Sequence, residues 1–253
     1  MRRAMILGII PARWGSSRFP GKILHPLCGR PMLAWVIDRA RGARRLDRLL
    51  VATDDARIAR AAESFGIEAA MTSPDHPSGT DRVAEAARGR GADAVVNIQG
   101  DEPLVDPGLL DRLAAAVTGP NAREMATAAT PLTRPELIAR SSVVKVVSNA
   151  AGDALYFSRS VIPHLRDAAL GNTPPEGAYW RHIGVYAYRA DFLERLVREP
   201  PCPLEQWEKL EQLRALHIGG RIHVLPAEDA AIGVDTPEDV PQAEAALRAA
   251  GLA

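Results

Sequence analysis

The stretch MILGIIPARWGSSRFPGK, residues 5–22, joins an apolar run to a loop rich in cations and glycine. The run at 5–10 has the length and composition of a buried strand in a parallel sheet. Ligands of open α/β sheets bind beyond the carboxyl ends of such strands. The loop supplies backbone N–H groups and cations, which suit phosphate oxygens. Its charged residues and glycines are Arg13, Gly15, Arg18, Gly21 and Lys22. The stretch predicts a polyphosphate site on an α/β fold, with a solvated basic loop as the alternative.

The first half of the chain alternates between strand and helix patterns. Apolar runs at 5–10, 49–53, 67–71 and 94–98 are separated by helical patterns at 31–43, 55–65 and 80–88. This alternation predicts a doubly wound sheet of parallel strands. A helix over 107–117 and a strand over 124–130 continue the pattern.

The second half of the chain has a different texture. Segments 143–148, 154–158 and 183–188 are rich in β-formers and predict an antiparallel ribbon or a mixed sheet. A helix over 204–217, a strand over 221–225, a final helix over 237–250 and a flexible loop over 166–180 complete the prediction. We therefore expect one α/β domain with a core of approximately 1–135 and 221–253 and an inserted smaller lobe of approximately 136–220.

Composition excludes several classes of protein. The 253 residues include 31 basic and 31 acidic side chains, so the formal net charge is zero. A chain without net basic charge lacks the field that recruits nucleic acid. Cys28 and Cys202 are its only cysteines, too few for a disulfide framework or a zinc site. The first apolar run is too short for a membrane span or a signal peptide, so we expect a cytoplasmic protein.

Acidic residues follow two further apolar runs. VNIQGDEPLV, residues 96–105, places Asp101 and Glu102 after a predicted strand, and IGVDTPED, residues 232–239, places Asp235 in a similar turn. Carboxylates at strand ends can hold Mg²⁺ opposite bound phosphates. Each turn by itself is also explained as a helix cap. The two turns could meet at one edge of the sheet, and together they predict a shared metal site.

The segment HPSGTDRVAE, residues 76–85, has the pattern of a helix start, with Ser78 three residues before Asp81. Its Ser-Gly-Thr turn could also present backbone and hydroxyl groups to a nucleobase. The glycine fingerprints of P-loop and dinucleotide-binding proteins are absent from the first loop. A dinucleotide-dependent dehydrogenase is therefore disfavoured, although it would share the sheet.

Taken together, these motifs resemble the 3-deoxy-D-manno-octulosonate (Kdo) cytidylyltransferases of the sugar nucleotidyltransferase superfamily. The segments that carry the resemblance follow one another over nearly the whole chain: IIPARWGSSRFPGK, VVATDD, HPSGTDRVAE, VVNIQGDEPL, ALYFSRSVIP, RHIGVYAYR, PLEQWEKLEQLRAL and GVDTPED. The resemblance implies a Rossmann-like fold of the nucleotide-diphospho-sugar transferase type. It also implies a Mg²⁺-dependent reaction of CTP with Kdo that yields CMP-Kdo and pyrophosphate for lipopolysaccharide synthesis. A homodimer is expected.

The resemblance also implies roles for individual residues. The expected catalytic residues are Arg13, Lys22, Asp101 and Asp235, of which the two aspartates would bind Mg²⁺. The expected nucleotide contacts are Pro11, Ala12, Arg13, Arg18, Lys22, Ser78, Gly79 and Thr80. The expected sugar contacts are Gln99, Arg159, His182, Tyr186, Glu211 and Gln212.

Several alternatives remain open at this stage. A CMP-sugar synthetase for 8-amino-Kdo or a sialic acid would keep the nucleotide half and differ in the sugar pocket. A non-catalytic nucleotide-sugar binding protein would need the fold but not the pair of aspartates. His182 could be a structural histidine between strands, and Glu211 and Gln212 could lie on a solvated helix face.

Overall fold

The computed structural model describes residues 3–15, 18–166, 174–228 and 232–253. Its strands are β1 (Ile6–Ala12), β2 (Pro26–Leu27), β3 (Arg30–Pro31), β4 (Arg48–Thr53), β5 (Glu68–Met71), β6 (Ala94–Asn97), β7 (Met125–Pro131), β8 (Lys145–Ser148), β9 (Ala154–Ser158), β10 (Trp180–Arg189) and β11 (Ile222–Pro226). Its α-helices are α1 (Met32–Arg41), α2 (Ala56–Ser64), α3 (Gly79–Ala87), α4 (Pro107–Thr118), α5 (Pro135–Ile138), α6 (Ala190–Arg198), α7 (Pro203–Glu208), α8 (Gln212–His217) and α9 (Val240–Ala249).

The central sheet has the strand order β11-β7-β10-β6-β1-β4-β5. Strand β1 pairs in parallel with both β4 and β6, and β4 pairs in parallel with β5. The chain runs outward from β1 through β4 to β5 and then returns to β6 on the other side of β1. This reversal makes the carboxyl ends of β1 and β6 the topological switch point, where ligands bind in open α/β sheets. The α/β prediction and the four parallel strands of the first half are confirmed.

Side-chain caps fix where several helices begin. Asp55, Ser78 and Asp106 accept hydrogen bonds from backbone N–H groups of the first turns of α2, α3 and α4. Such a cap satisfies donors that would otherwise lack partners and stabilises a helix by about 1 kcal/mol. The cap predicted at Ser78 is confirmed, and it fixes the entry of α3 beside the switch point.

Strand β10 lies between β6 and β7 and is antiparallel to both. The ribbon of β8 and β9 joins the sheet through the register pair of Arg181 with Lys145. Residues 136–220 therefore supply a strand of the central sheet as well as the ribbon. The proposed division into core and lobe stays a prediction.

The predicted helix over 204–217 is wrong, because the structure has two short helices, α7 and α8, in that segment. Lys209 ends α7 in the left-handed conformation, with φ 53° and ψ 50°. A residue in this region cannot continue a right-handed helix. Leu210 turns into the core, where it is 6% exposed.

The final segment of the chain differs from the predicted helix over 237–250. The final segment begins with a 3₁₀ turn, Pro237–Asp239, capped by Thr236, and α9 follows it. Part of the predicted loop, residues 167–173, lies outside the described residues. Across the described residues, none of the helices has the length and apolar composition needed to cross a membrane.

Candidate active site

A cleft of about 500 Å³ opens at the carboxyl ends of β1 and β6. Its lining includes these residues predicted from the sequence: Pro11, Ala12, Arg13, Arg18, Lys22, Ser78, Gly79, Gln99, Asp101, Glu211 and Asp235. The residues come from five separate stretches of the chain. The switch point of the sheet thus brings most of the predicted site residues to one place.

Packing between Trp14 and Gly21 shapes the first loop. The backbone N–H of Gly21 donates to the Trp14 carbonyl oxygen over 3.0 Å. Gly21 has φ 70°, and a Cβ there would lie 2.9 Å from the indole ring. The Arg57 guanidinium covers the ring at 3.4 Å from its centroid. Only glycine suits this close approach and positive φ, and the closed loop directs Lys22 into the cleft.

Lys22 lies between the two predicted aspartates. Its Nζ donates to Asp101 Oδ2 over 2.6 Å and to Asp235 Oδ1 over 3.1 Å. Arg18 also pairs with Asp235, over 3.1 Å. The backbone N–H of Val234 donates to the Asp101 carbonyl oxygen over 2.9 Å, which fixes one acidic turn against the other. The two acidic turns therefore lie side by side, and the metal site that they are predicted to share stays a prediction.

The donor set of this cluster suits Mg²⁺. The ion commonly takes one or two carboxylates from the protein and completes its shell with phosphate oxygens and water. Asp101 and Asp235 both contact one cation, the Lys22 ammonium, so the two carboxylates lie close enough together to bind a single metal ion. Among the described residues no group of three or more His, Cys, Asp or Glu side chains could form a complete protein cage.

The start of α3 forms another wall of the cleft. Ser78 Oγ accepts the Asp81 N–H over 3.2 Å and donates to the Asp81 carboxylate over 2.6 Å. Gly79 borders the cleft, but Thr80 is buried and donates to Glu211 over 2.7 Å. Thr80 thus positions Glu211 in this structure, while Ser78 and Gly79 face the cleft.

A second, much smaller cavity of about 20 Å³ adjoins this wall and shares Ser78 and Glu211 with the cleft. Tyr186 and Gln212 line it, and the Tyr186 hydroxyl donates to Gln212 Oε1 over 3.3 Å. Within the described residues, the buried amide Nε2 of Gln212 has no hydrogen-bond partner. A buried donor without a partner is unfavourable in a folded protein.

Arg159 is engaged elsewhere in this structure. Its guanidinium donates to the backbone carbonyl oxygens of Glu208, Ser141 and Lys209 over 2.6, 3.1 and 3.4 Å. It does not line the cleft. The contact of Arg159 with the sugar stays a prediction. It would require the guanidinium to give up these hydrogen bonds and form new ones to the sugar.

His182 is also outside the residues that line the cleft. Its Nε2 lies 3.0 Å from Thr127 Oγ1, and its ring contacts Phe157 and Tyr186. Burial lowers the pKa of His182 to about 3, so the ring is neutral at physiological pH. A neutral ring can hydrogen-bond a hydroxyl but cannot pair with a carboxylate as a cation.

Glu102 lies beside Asp101 but lines a different cavity. Burial, together with the Asp101 charge, raises the pKa of Glu102 to about 8. Glu102 does not line the cleft that holds most of the other predicted residues.

Sequence reasoning missed three polar or charged side chains that line the cleft: Asp54, His76 and Arg82. Asp54 directly follows β4, so the carboxyl-end rule could have identified it. Arg82 and His76 carried no such signal, because their positions depend on how α3 packs beside β1.

Comparison with known proteins places these features in a family. Residues 7–222 match the family model described as cytidylyltransferase. A 3-deoxy-manno-octulosonate cytidylyltransferase from Anaeromyxobacter sp. (strain Fw109-5) is 51% identical, with 98% of each chain covered. The protein of that name from Pseudomonas fluorescens is 49% identical, with 95% of this chain and 97% of the relative covered.

A solved structure has the same fold over almost the whole chain. It is CMP:2-keto-3-deoxy-manno-octonic acid synthetase complexed with CTP, with a TM-score of 0.91 and 39% sequence identity. The match covers 98% of this chain and 100% of that chain.

Proposed function

Because this chain belongs to the cytidylyltransferase family, we propose that it activates 3-deoxy-D-manno-octulosonate (Kdo) with CTP. The products are CMP-Kdo and pyrophosphate. The observation that carries the proposal is the convergence of Lys22, Asp101 and Asp235 on one point of the cleft. The relatives named for this reaction and the solved synthetase complexed with CTP support it.

Cations at one end of the cleft suit the triphosphate. Arg13 and Arg18 are exposed there, and Lys22 lies deeper. The pairs of Lys22 and Arg18 with two aspartates neutralise this end in the free protein. When a triphosphate enters, we expect Lys22 to donate to phosphate oxygens, since a compact ammonium fits a crowded group of oxygens. This neutralisation and the fixed position of the α-phosphorus are the main contributions that such transfer requires.

Mg²⁺ is the proposed cofactor, held by Asp101 and Asp235. When bound, the ion would polarise the α-phosphate and lower the pKa of a sugar hydroxyl on it. The two carboxylates would then bind the metal ion in place of the Lys22 ammonium. Because the metal neutralises their negative charges, the carboxylates would not repel the triphosphate.

The sugar is proposed to bind beside the wall formed by Gln99, Glu211 and Gln212. Gln99 follows β6 and lies two residues from Asp101, so it borders the phosphate end. Glu211 accepts from Thr80 and Gln212 from Tyr186, so both side chains are oriented before a sugar arrives. Amide and carboxylate groups suit a polyhydroxylated acid. The anomeric hydroxyl of the sugar would attack the α-phosphorus in line with the departing pyrophosphate.

We extend the proposal to a homodimer in the cytoplasm. Leu204 and Trp207 lie on one face of α7 and are 39% and 76% exposed. Exposed large apolar side chains of this kind suit a contact with a second copy. The compartment follows from the substrate, because the reaction consumes CTP.

The deciding experiment measures pyrophosphate release with Mg²⁺ and purified protein. Kdo, 8-amino-Kdo and a sialic acid are offered separately with CTP, and ATP, GTP and UTP are offered with Kdo. We expect release with CTP and Kdo. Release with only another acid sugar would change the proposed substrate, and no release with any pair would overturn the proposed function.

A further inference from the structure

Side chains of α3 hold the loop at 72–78, which forms one side of the cleft. The Arg82 guanidinium donates to Thr72 Oγ1 over 2.6 Å at the start of the loop. The Glu85 carboxylate accepts the N–H of Ser73 over 2.9 Å. Ser78 caps α3 at the end of the loop. The loop is therefore fixed at its beginning and at its end before a ligand binds.

His76 belongs to this loop and contacts the same carboxylate through its ring Nε2. The N–H of Ser73, together with the His76 ring, holds the pKa of Glu85 below its ordinary value. An ionised carboxylate only accepts hydrogen bonds, so Nε2 of His76 must be the donor. In the neutral ring this assigns the proton to Nε2 and leaves a lone pair on Nδ1.

The other ring nitrogen faces a different environment. His76 lines the cleft, and its side chain is 19% exposed. Over the described part of the chain, Nδ1 has no hydrogen-bond partner and is not enclosed. In the neutral ring, Nδ1 therefore offers a hydrogen-bond acceptor on this side of the cleft, beside the Ser78 and Gly79 turn.

A nucleotide in the cleft has its charged end at Lys22 and its base at some distance from it. The loop with His76 and Pro77 carries no cation that suits phosphate, whereas a proline and a glycine offer flat contact to a base. Cytosine carries an exocyclic amino group, a hydrogen-bond donor, where uracil carries a carbonyl oxygen.

We propose that His76, oriented by Glu85, is a specificity-determining residue that accepts a hydrogen bond from the amino group of cytosine and so selects CTP over UTP. The proposal rests on the function proposed above for the cleft. A uracil carbonyl oxygen at the same place would face Nδ1 of His76, and both atoms are hydrogen-bond acceptors. Because neither atom would then have a donor, UTP should bind roughly ten- to a hundredfold more weakly.

The test compares CTP with UTP in His76→Ala and Glu85→Gln. Dissociation constants for both nucleotides and kcat/KM with Kdo are measured for each variant. We expect His76→Ala to lower the preference for CTP by roughly ten- to a hundredfold, mainly through weaker CTP binding. In Glu85→Gln the amide can donate to Nε2, so the proton of the His76 ring is no longer confined to that nitrogen. We expect this variant to lose less of the preference for CTP than His76→Ala. His76→Gln restores an acceptor oxygen and should recover part of the preference.

His217→Ala is the matched control, because His217 is exposed on α8 and does not line the cleft. This control should keep the wild-type preference. Equal losses for CTP and UTP in His76→Ala would place the ring against the ribose or a structural neighbour and overturn the proposal. An unchanged preference in a folded variant would overturn it as well. If wild-type protein released no pyrophosphate, the proposed function would fail, while the two dissociation constants would still test His76.

Discussion

Asp101 and Asp235 are the side chains on which the proposed chemistry depends most. We predict that Asp101→Asn or Asp235→Asn lowers kcat by roughly a hundredfold or more, because an amide is a poor ligand for Mg²⁺ and leaves the phosphates less neutralised. Both carboxylates are partly exposed, at 28% and 52%, so the free energy of unfolding should change by less than about 1 kcal/mol. Pyrophosphate release and thermal melting measure the two effects.

Asp106→Asn is the control for these variants. Asp106 caps α4 and does not line the cleft, so its substitution should leave kcat unchanged. Near wild-type turnover of Asp101→Asn at saturating Mg²⁺ would contradict the metal assignment.

His182 gives a prediction about acid stability. Burial lowers the pKa of His182 from 6.5 to about 3, so between these values the unfolded chain binds a proton that the native protein does not. The stabilising contribution is complete above pH 6.5 and is lost as the pH falls toward 3, by at most about 1.4 kcal/mol per pH unit. Urea denaturation at pH 8, 6.5 and 5 should show wild type approaching His182→Gln in stability as the pH falls.

Other groups titrate in the same pH range, so the test rests on the difference in stability between wild type and each variant at every pH. His217→Gln, a change at an exposed histidine, should run parallel to wild type across the three pH values. A constant difference between wild type and His182→Gln would show that the ring is not held neutral by burial.

At the scale of elements, the break between α7 and α8 is set by Lys209. A side chain at φ 53° is strained by contact of its Cβ with the backbone, and glycine lacks that contact. We predict that Lys209→Gly raises the free energy of unfolding by about 0.5–1 kcal/mol. Chemical denaturation measures it.

Lys209→Val provides the opposite control, because a β-branched residue tolerates the left-handed region least. It should destabilise the protein. If 204–217 formed one continuous helix in solution, Lys209→Gly would be destabilising instead.

At the scale of the whole molecule, Asp153 joins the ribbon to the far edge of the central sheet. It accepts from Arg123 Nε over 2.7 Å and from Arg221 Nη2 over 2.6 Å. Burial would raise the pKa of Asp153, but these two guanidinium groups outweigh it and hold the pKa below its ordinary value. We predict that Asp153→Asn lowers the free energy of unfolding by about 3 kcal/mol, because both cations lose their anionic partner. Urea denaturation measures the change.

The affinity for CTP should be unchanged in Asp153→Asn, since Asp153 lies outside the cleft. Asp191→Asn breaks an exposed pair with Arg189 and should cost less than about 1 kcal/mol. Equal effects of the two substitutions would show that the ribbon is not held by Asp153.

Local pattern predicted more of the fold than of the sugar pocket. Apolar runs of strand length, with helices between them, depend on neighbouring residues, so β1, β4, β5 and β6 were predicted within a few positions. Helix α6 was missed, and the α7–α8 break was missed because one left-handed residue has no periodic signal. The position of the Arg159 guanidinium group could not be predicted, since its partners are backbone carbonyl groups at 141, 208 and 209.

Local sequence patterns were enough to predict the α/β class, the cation-rich loop after β1 and the two acidic turns, because each depends on short segments of the chain. The position of Lys22 between Asp101 and Asp235 became visible only in the folded protein. The fold also places His182, partly buried, against Thr127, Phe157 and Tyr186, and it places His76 at the cleft in contact with Glu85. Burial and hydrogen-bond partners depend on residues far apart in the chain, and only the folded arrangement of sheet, ribbon and helices brings those residues together.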